Sequence, residues 1–421
     1  MRPSPFASKL KFAMQQLISE RLYFNDSYLK QFKARVLEML DVAGKPAVVL
    51  DRSCFYPTSG GQPFDTGRLN NARVLDVQVR AEDGVVLHIL DQELWEQEVN
   101  GQISWSRRFD HMQQHTGQHI LSQAFIQVAE AQTVGFHLSD DNCTIDVDRQ
   151  DLTPAQISQT EQLANDVVWR NEPVRAYVVT REQAQKLRLR KIPAVDGNRL
   201  RLIEIGKFDL TACGGTHVAN TGEVGLIKII RVERRRDALR VTFRCGQRAL
   251  NDYREKNTVV NALTSELTVG YWDLETSVVK LRDEAKNQGR LARKLQSQVV
   301  EMEMERLIQA AKPYKGVYIL DKVFVDMNPG DLRKMAATLV KEGKYLLLFG
   351  LAGDKSQLLF ARSPEVAGEM NQLIKPALQV LGSASGGGNA ELAQGGGPAA
   401  TVEQVEQALK RARQLAQAQI R

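Results

Sequence analysis

Two short motifs carry the residue types that could do chemistry. His115-Thr-Gly-Gln-His119 sets two imidazoles four residues apart. On a helix that spacing puts both on one face, one turn apart, where both can reach one metal ion. Cys213-Gly-Gly-Thr-His217 places a thiol and an imidazole around two glycines, which let the chain fold tightly enough for them to converge. Together the motifs supply one sulfur and three nitrogens, a donor set suited to one tetrahedral Zn(II) per chain. A helical His-x-x-x-His pair alone is weak, because it often arises by chance. The joint pattern has weight because it uses three of the six histidines in the chain. A zinc protease is excluded, since it needs Glu after the first His as general base and position 116 is Thr. His111 extends the same helix face. Three ligands from one helix are hard to bring to one metal, so His111 reads as a supporting or surface residue.

The elements that must position these residues follow from periodicity. Apolar residues at Met112, Ile120, Leu121, Ala124, Phe125 and Val128 predict a helix over about 109–131, with the histidines on its polar stripe. Thr153-Pro opens a second helix, with Thr as N-cap and Pro at the first position, running to about 171. Strands are predicted near 144–148, 174–179, 200–205, 225–232 and 240–244. One sheet with two helices on one face accounts for this stretch, an α+β domain. Before it, short apolar runs between 47 and 103, separated by Gly, Asp and Asn, predict a small antiparallel sheet or barrel. The stretch from 20 to 48 reads as a helix followed by a strand. After it, residues 250–308 are polar and helical. Leu274, Val278, Leu281, Ala285, Ala292, Leu295, Val299 and Met302 form a heptad seam, fitting either packing within the chain or a coiled-coil homodimer. Gly316-Val-Tyr-Ile-Leu and Tyr345-Leu-Leu-Leu-Phe-Gly read as buried parallel strands of a C-terminal α/β domain. Its helices are expected at 329–341, 363–381 and 401–421, with a glycine-rich loop over 382–398. The expected organisation is thus multidomain α+β: an extension (1–20), a β-barrel domain (21–105), a zinc-binding domain (106–249), a helical linker (250–311) and a C-terminal domain (312–421).

Composition sets the outer limits. The chain has 421 residues, 43% hydrophobic and 25% charged, with a net charge of +6. That is a globular composition with several cores. No run of about 18 apolar residues marks a membrane span, and Met1 to Glu20 lacks the apolar core of a secretory signal. Four widely spaced cysteines do not make a disulfide framework, which fits a reducing cytoplasm. The small positive excess permits a polyanionic partner without requiring one. Its placement says more. Lys186, Arg188, Arg190 and Lys191 precede the second metal motif, and Arg231, Arg234, Arg235, Arg236, Arg240 and Arg244 follow it, a pattern that suits a phosphate-tracking surface.

The combined motifs resemble the editing domain of alanyl-tRNA synthetases and their free-standing relatives, the AlaX proteins. Phe55-Tyr-Pro-Thr-Ser-Gly-Gly-Gln-Pro-Phe-Asp-Thr-Gly is similar to the glycine-rich loop of that family's N-terminal barrel. Arg108-Phe-Asp-His-Met-Gln-Gln-His-Thr-Gly-Gln-His is close to the AlaX version of the first motif, and Leu202-Ile-Glu-Ile-Gly-Lys-Phe-Asp precedes the second. The segment with Gly386, Gly387, Gly388, Gly395, Gly396 and Gly397 resembles the DHH-associated domain that ends alanyl-tRNA synthetases, and the resemblance runs from about 21 to 421. It implies a long-form editing protein that acts on mischarged tRNA(Ala), with Zn(II) held by His115, His119, Cys213 and His217. With no room for an aminoacylation domain before residue 20, it is expected to edit and not to charge. It further implies a substrate pocket around Ser53, Thr58, Gly60, Gly61, Gln62, His137, Asp209 and Thr216. His137 stands near where synthetase domains carry a Gln, and Ser53 stands where relatives often have Thr. The glycine-rich C-terminal segment is implied in binding the tRNA body, or is a flexible stretch.

The expected reaction is hydrolysis of the aminoacyl ester of Ser-tRNA(Ala), and of Gly-tRNA(Ala) as a second substrate. A site built to bond the serine hydroxyl leaves buried groups unpaired with alanine, at roughly 1–3 kcal/mol each. Four protein ligands leave open whether the metal activates water, anchors the substrate or is structural. The 58–62 loop reads as a backbone N–H cradle for the ribose or a phosphate, or as a plain hairpin turn. Two rival readings are a non-catalytic zinc-containing tRNA-binding factor and a threonyl-type editing hydrolase.

Overall fold

The computed structural model describes residues 19–191, 198–383 and 385–420. Most of the expected N-terminal extension lies outside them. The chain divides into two compact units, Met1–Leu263 and Thr264–Arg421.

The first unit begins with a closed six-stranded barrel. In order around it the strands are Gln31–Val42, Lys45–Leu50, Val86–Leu90, Ala72–Val79, Gly67–Leu69 and Glu98–Ile103. The long first strand replaces the helix expected near residue 30. It pairs with Lys45–Leu50 on one side and Glu98–Ile103 on the other, so closure of the barrel overrides its mixed local pattern. The interior is apolar, with Phe32, Leu50, Phe55, Leu69, Val77 and Leu90 at its centre.

The barrel leads into a 25-residue helix, Trp105–Ala129, which carries the first metal motif. A second helix, Pro154–Trp169, packs against it. Thr153 caps it through a reciprocal capping box with Gln156. The strands of this region form two sheets rather than one. Ile227–Arg234, Leu239–Cys245, Cys143–Val147 and Thr133–Leu138 make an antiparallel four-stranded sheet, and Val174–Thr180, Arg199–Ile205 and Asp209–Ala212 make a separate three-stranded one. Strands adjacent in sequence pair with each other, which closes the second set on itself.

The expected helical stretch is two helices, Gly246–Leu267 and Leu274–Ala310, interrupted at 268–273. Thr268 there has φ +54°, a conformation that ends a helix. The C-terminal sheet has six strands. Val317–Phe324 and Tyr345–Leu351 are parallel, as their continuous apolar runs predict, and every residue of Tyr345–Leu351 is buried because helices cover both faces. The glycine-rich segment is not a loop. Gly386–Gly388 and Leu392–Gly397 are paired strands at the sheet edge. A Cβ at Gly386 or Gly395 would lie 2.5 or 2.4 Å from Leu378 on the helix Met370–Val380, so glycine lets that helix sit down on the sheet.

Candidate metal centre

The helix Trp105–Ala129 brings His115 and His119 to one face, and the turn after the strand Asp209–Ala212 brings Cys213 and His217 to meet them. One ligand atom from each lies within 4.8 Å of all the others. Cys213 Sγ is 3.4 Å from both His115 Nε2 and His217 Nε2. A tetrahedron built on Zn–N of about 2.0–2.1 Å and Zn–S of about 2.3 Å has edges of about 3.3–3.6 Å. The donor set and the spacing fit Zn(II).

Each imidazole has a polar side chain behind it. Gln62 Oε1 is 2.8 Å from His115 Nδ1. The Asp209 carboxylate stands beside His119, with Oδ2 3.4 Å from Nδ1 but no hydrogen bond between them, and its Oδ1 is paired with Arg190 at 2.8 Å. Thr116 Oγ1 is 3.1 Å from His217 Nδ1 and accepts the Val218 N–H. Position 116, where a protease would carry Glu, thus orients a ligand. With the Nδ1 atoms of His115 and His217 so engaged, their Nε2 atoms are left to converge. The Gly215 N–H also points at Cys213 Sγ, at 3.3 Å.

The electrostatics favour a thiolate at Cys213 and a neutral imidazole at His217. Burial pushes the Cys213 thiol up, but His115 and His217 outweigh it and hold its pKa well below the usual range. Burial wins at His217 and lowers its pKa to about 3. At His119 burial is outweighed by Asp209 and Cys213, and the pKa rises. Metal ligands must be deprotonated, so the first two effects favour loading.

The two glycines of the second motif are not equivalent. A Cβ on Gly215 would lie 2.1 Å from the His115 ring, whereas nothing stands within 4 Å of one on Gly214. Only Gly215 is required for the approach. Gly214 and the half-buried Cys213 form the side on which the centre meets solvent, for the three histidines are 3–5% exposed.

The other expected site residues distribute unevenly. Gln62, Asp209 and Thr216 are buried at the centre. Residues 59–62 form the hairpin turn, with Gly60 and Gly61 at φ +57° and +85° and the Ser59 and Gln62 amides bonded to each other's carbonyls. Those two N–H groups are therefore spent within the turn, and the reading of it as an open N–H cradle is corrected to that extent. Thr58, Gly60 and Gly61 remain exposed. Ser53 lies buried in the barrel, 2.7 Å from His88 Nε2. His137 is exposed, and strand alternation turns its neighbour Phe136 onto His115 instead, with ring centroids 5.2 Å apart. Of the expected tRNA contacts, Lys186, Arg188, Lys191, Arg234 and Arg235 are exposed, whereas Arg190 is engaged with Asp209.

Three contributors escaped the sequence reading: Phe136, Thr116 as an orienter, and Arg201. The Arg201 guanidinium donates to the carbonyls of Cys213 and Gly215, both at 2.9 Å, and fixes the metal turn. The hairpin turn at Gly206 held its signal, since the register it sets, Ile205 opposite Asp209, brings 201 opposite 213.

Known proteins fall on the same features. Residues 200–240 match the family model described as threonyl and alanyl tRNA synthetase second additional domain, and 18–107 match the model of class II (A) tRNA synthetases. Segments of the chain are therefore similar to parts of these synthetases. An alanine–tRNA ligase of Pyrococcus furiosus is 32% identical over 389 residues, 89% of this chain and 41% of the ligase. That of Methanothrix thermoacetophila is 31% identical over 90% and 42%. The chain thus spans about two fifths of the length of these ligases. The alanyl-tRNA editing protein AlaX-L of Pyrococcus horikoshii is 29% identical over 399 residues, 89% of this chain and 94% of that protein. The chain resembles this long-form editing protein along nearly the whole of both. Among solved structures, the C-Ala domain from Aquifex aeolicus alanyl-tRNA synthetase shares 26% identity over 25% of this chain and 97% of its own, at a TM-score of 0.23, too low for a structural argument. Among the described residues no helix is long and apolar enough to cross a membrane.

Proposed function

We propose that this chain is a trans-editing hydrolase that removes the wrong amino acid from tRNA(Ala), with Ser-tRNA(Ala) as main substrate and Gly-tRNA(Ala) as a second. The observation that carries this reading is the near-full-length similarity to a long-form alanyl-tRNA editing protein, aligned over a centre whose four donors fit zinc. A bound Zn(II) would supply a Lewis acid for the ester carbonyl or an anchor for the substrate. His115, His119, Cys213 and His217 would hold it. The substrate would approach over Cys213 and Gly214, the exposed side of the centre, beside the tip of the turn at Gly60 and Gly61. The buried histidine rings and Phe136 exclude water from the other side. Lys186, Arg188, Lys191, Arg234 and Arg235 would follow the phosphates of the acceptor arm.

The test is release of labelled serine from Ser-tRNA(Ala), with Ala-tRNA(Ala) in parallel and a chelator-treated control. Zinc-dependent release of serine with alanine spared is expected, and Cys213→Ala should abolish it together with bound metal. Binding of tRNA(Ala) without release of either amino acid would favour the non-catalytic reading, for which four protein donors on one metal speak. Turnover of a mischarged tRNA(Thr) in preference to tRNA(Ala) would favour the threonyl type.

A further inference from the structure

Gln62 does more than fill the space behind His115. It belongs to the barrel, yet its amide is fully buried at the metal centre and makes three bonds there. Oε1 faces both His115 Nδ1, at 2.8 Å, and the Thr216 backbone N–H, at 3.1 Å, while Nε2 is 2.8 Å from Thr216 Oγ1. One of these partners cannot change its role: a backbone N–H is a donor and nothing else. It fixes the orientation of the Gln62 amide, for the flipped amide would point its NH2 at the Thr216 N–H. With Oε1 so fixed as an acceptor, His115 must present Nδ1–H to it. The lone pair of His115 is thereby left on Nε2, the atom that faces Cys213 Sγ at 3.4 Å.

We propose that Gln62 is the positioning residue that sets the tautomer of His115, and that through it the barrel completes the metal centre. The inference rests on the zinc reading of the donor set, not on the identity of the substrate. The turn that delivers Gln62 is built for that task. Its ends are bonded to each other, and Gly61 lies so close to Phe136 that a Cβ there would come within 2.8 Å of the Phe136 carbonyl oxygen. Metal retention should therefore depend on a residue some fifty positions from the nearest ligand, in a separately cored part of the unit.

The experiment measures zinc affinity of the full chain by competition with a chromophoric chelator, for wild type, Gln62→Leu and Gln62→Glu. Leu removes every bond. Glu keeps an acceptor for both Nδ1–H and the Thr216 N–H, and the Thr216 hydroxyl can turn to donate to its other oxygen. Loss of such an orienting partner costs about 10–100-fold in metal affinity, so Gln62→Leu should weaken zinc binding by that factor and Gln62→Glu should restore it to near wild type. Equal affinity in wild type and Gln62→Leu would overturn the proposal while leaving zinc in place. A wild type that takes up no zinc would overturn the metal reading itself. Because Gln62→Leu could unfold, a second measurement uses the zinc-loaded wild type alone. Long-range nitrogen–proton NMR should find His115 carrying its proton on Nδ1 and the metal on Nε2, and the reverse assignment would refute the proposal.

Discussion

Two long helices of this protein invert the usual rule of burial. Trp105–Ala129 buries sixteen of its 25 residues, and these include Arg108, His111, Gln113, Gln114, His115, Thr116, Gln118, His119 and Ser122. Leu274–Ala310 buries none of its 37, and Val299 and Met302 on its seam are 57% and 69% exposed. The first helix tolerates burial because most of its polar groups are answered, the two His111 ring nitrogens and His119 Nδ1 being the exceptions. Gln114 exchanges two bonds with the Cys245 backbone, Gln113 donates to the Glu223 carbonyl, and Arg108 meets Asp65 and the carbonyls of Ser27 and Cys54. A buried polar group costs little once bonded and much when it is not. The second helix joins a hydrophobic cluster only near its C-terminal end, where Val300, Met304, Leu307 and Ile308 pack against the apolar cluster that the helix Pro329–Glu342 shares with the C-terminal sheet. The lesson is that bonding capacity decides which helix the fold encloses, and apolar content by itself does not.

The contrast breaks most sharply at Arg108. Its guanidinium and the Asp65 carboxylate are both wholly buried, so Arg108→Ala strands a charge at a cost of about 3–5 kcal/mol. A urea midpoint within error of wild type would show that the polar helix is not held by its bonds.

His111 gives the next largest effect. Both its ring nitrogens lack a hydrogen-bond partner, and burial first, then Arg107, lowers its pKa to about 4. The unfolded chain takes up the proton near pH 6.5, so between 6.5 and 4 it binds more protons than the folded one. Stability is therefore full above that window and is lost as pH falls through it, by roughly 3 kcal/mol from this group. His111→Phe should lessen the slope of that acid limb, to which His88 and His217 also contribute, in denaturation curves taken at stepped pH. The seam helix has no histidine and should add nothing to it.

Two glycines sharpen the comparison. A Cβ at Gly117 would lie 2.3 Å from Cys245 Sγ, whereas at Gly289 it would meet nothing within 4 Å. Alanine gains about 0.8–1.0 kcal/mol of helix propensity at either position, but overpacking costs about 1–3 kcal/mol at the first. Gly117→Ala should therefore destabilise by up to about 2 kcal/mol net and Gly289→Ala should stabilise. Opposite shifts in thermal midpoint are the readout, and equal shifts would erase the distinction.

The smallest effect is expected on the seam. Leu281→Lys and Leu295→Lys should each change stability by less than about 0.5 kcal/mol, as surface substitutions do. A larger loss that depends on protein concentration, followed by sedimentation, would instead reveal a second chain covering the seam.

The sequence by itself singled out the four donors that the fold brings within 4.8 Å of one another. Four residues with zinc chemistry stood in two spacings, one helical and one glycine-turned, and periodicity placed them on a helix and after a strand. The parallel strands at 317–324 and 345–351 were equally plain, because burial on both faces leaves an unbroken apolar run. Only the tertiary structure decided what stands behind the ligands. Gln62 and Thr116 hold histidines 53 and 101 residues away, and no local pattern encodes a bond across that distance. Motif position singled out Ser53 and His137, while barrel closure turned one toward His88 and strand alternation turned the other to solvent. Residue type and spacing fix what chemistry is available, whereas orientation belongs to the packing of elements far apart in the chain.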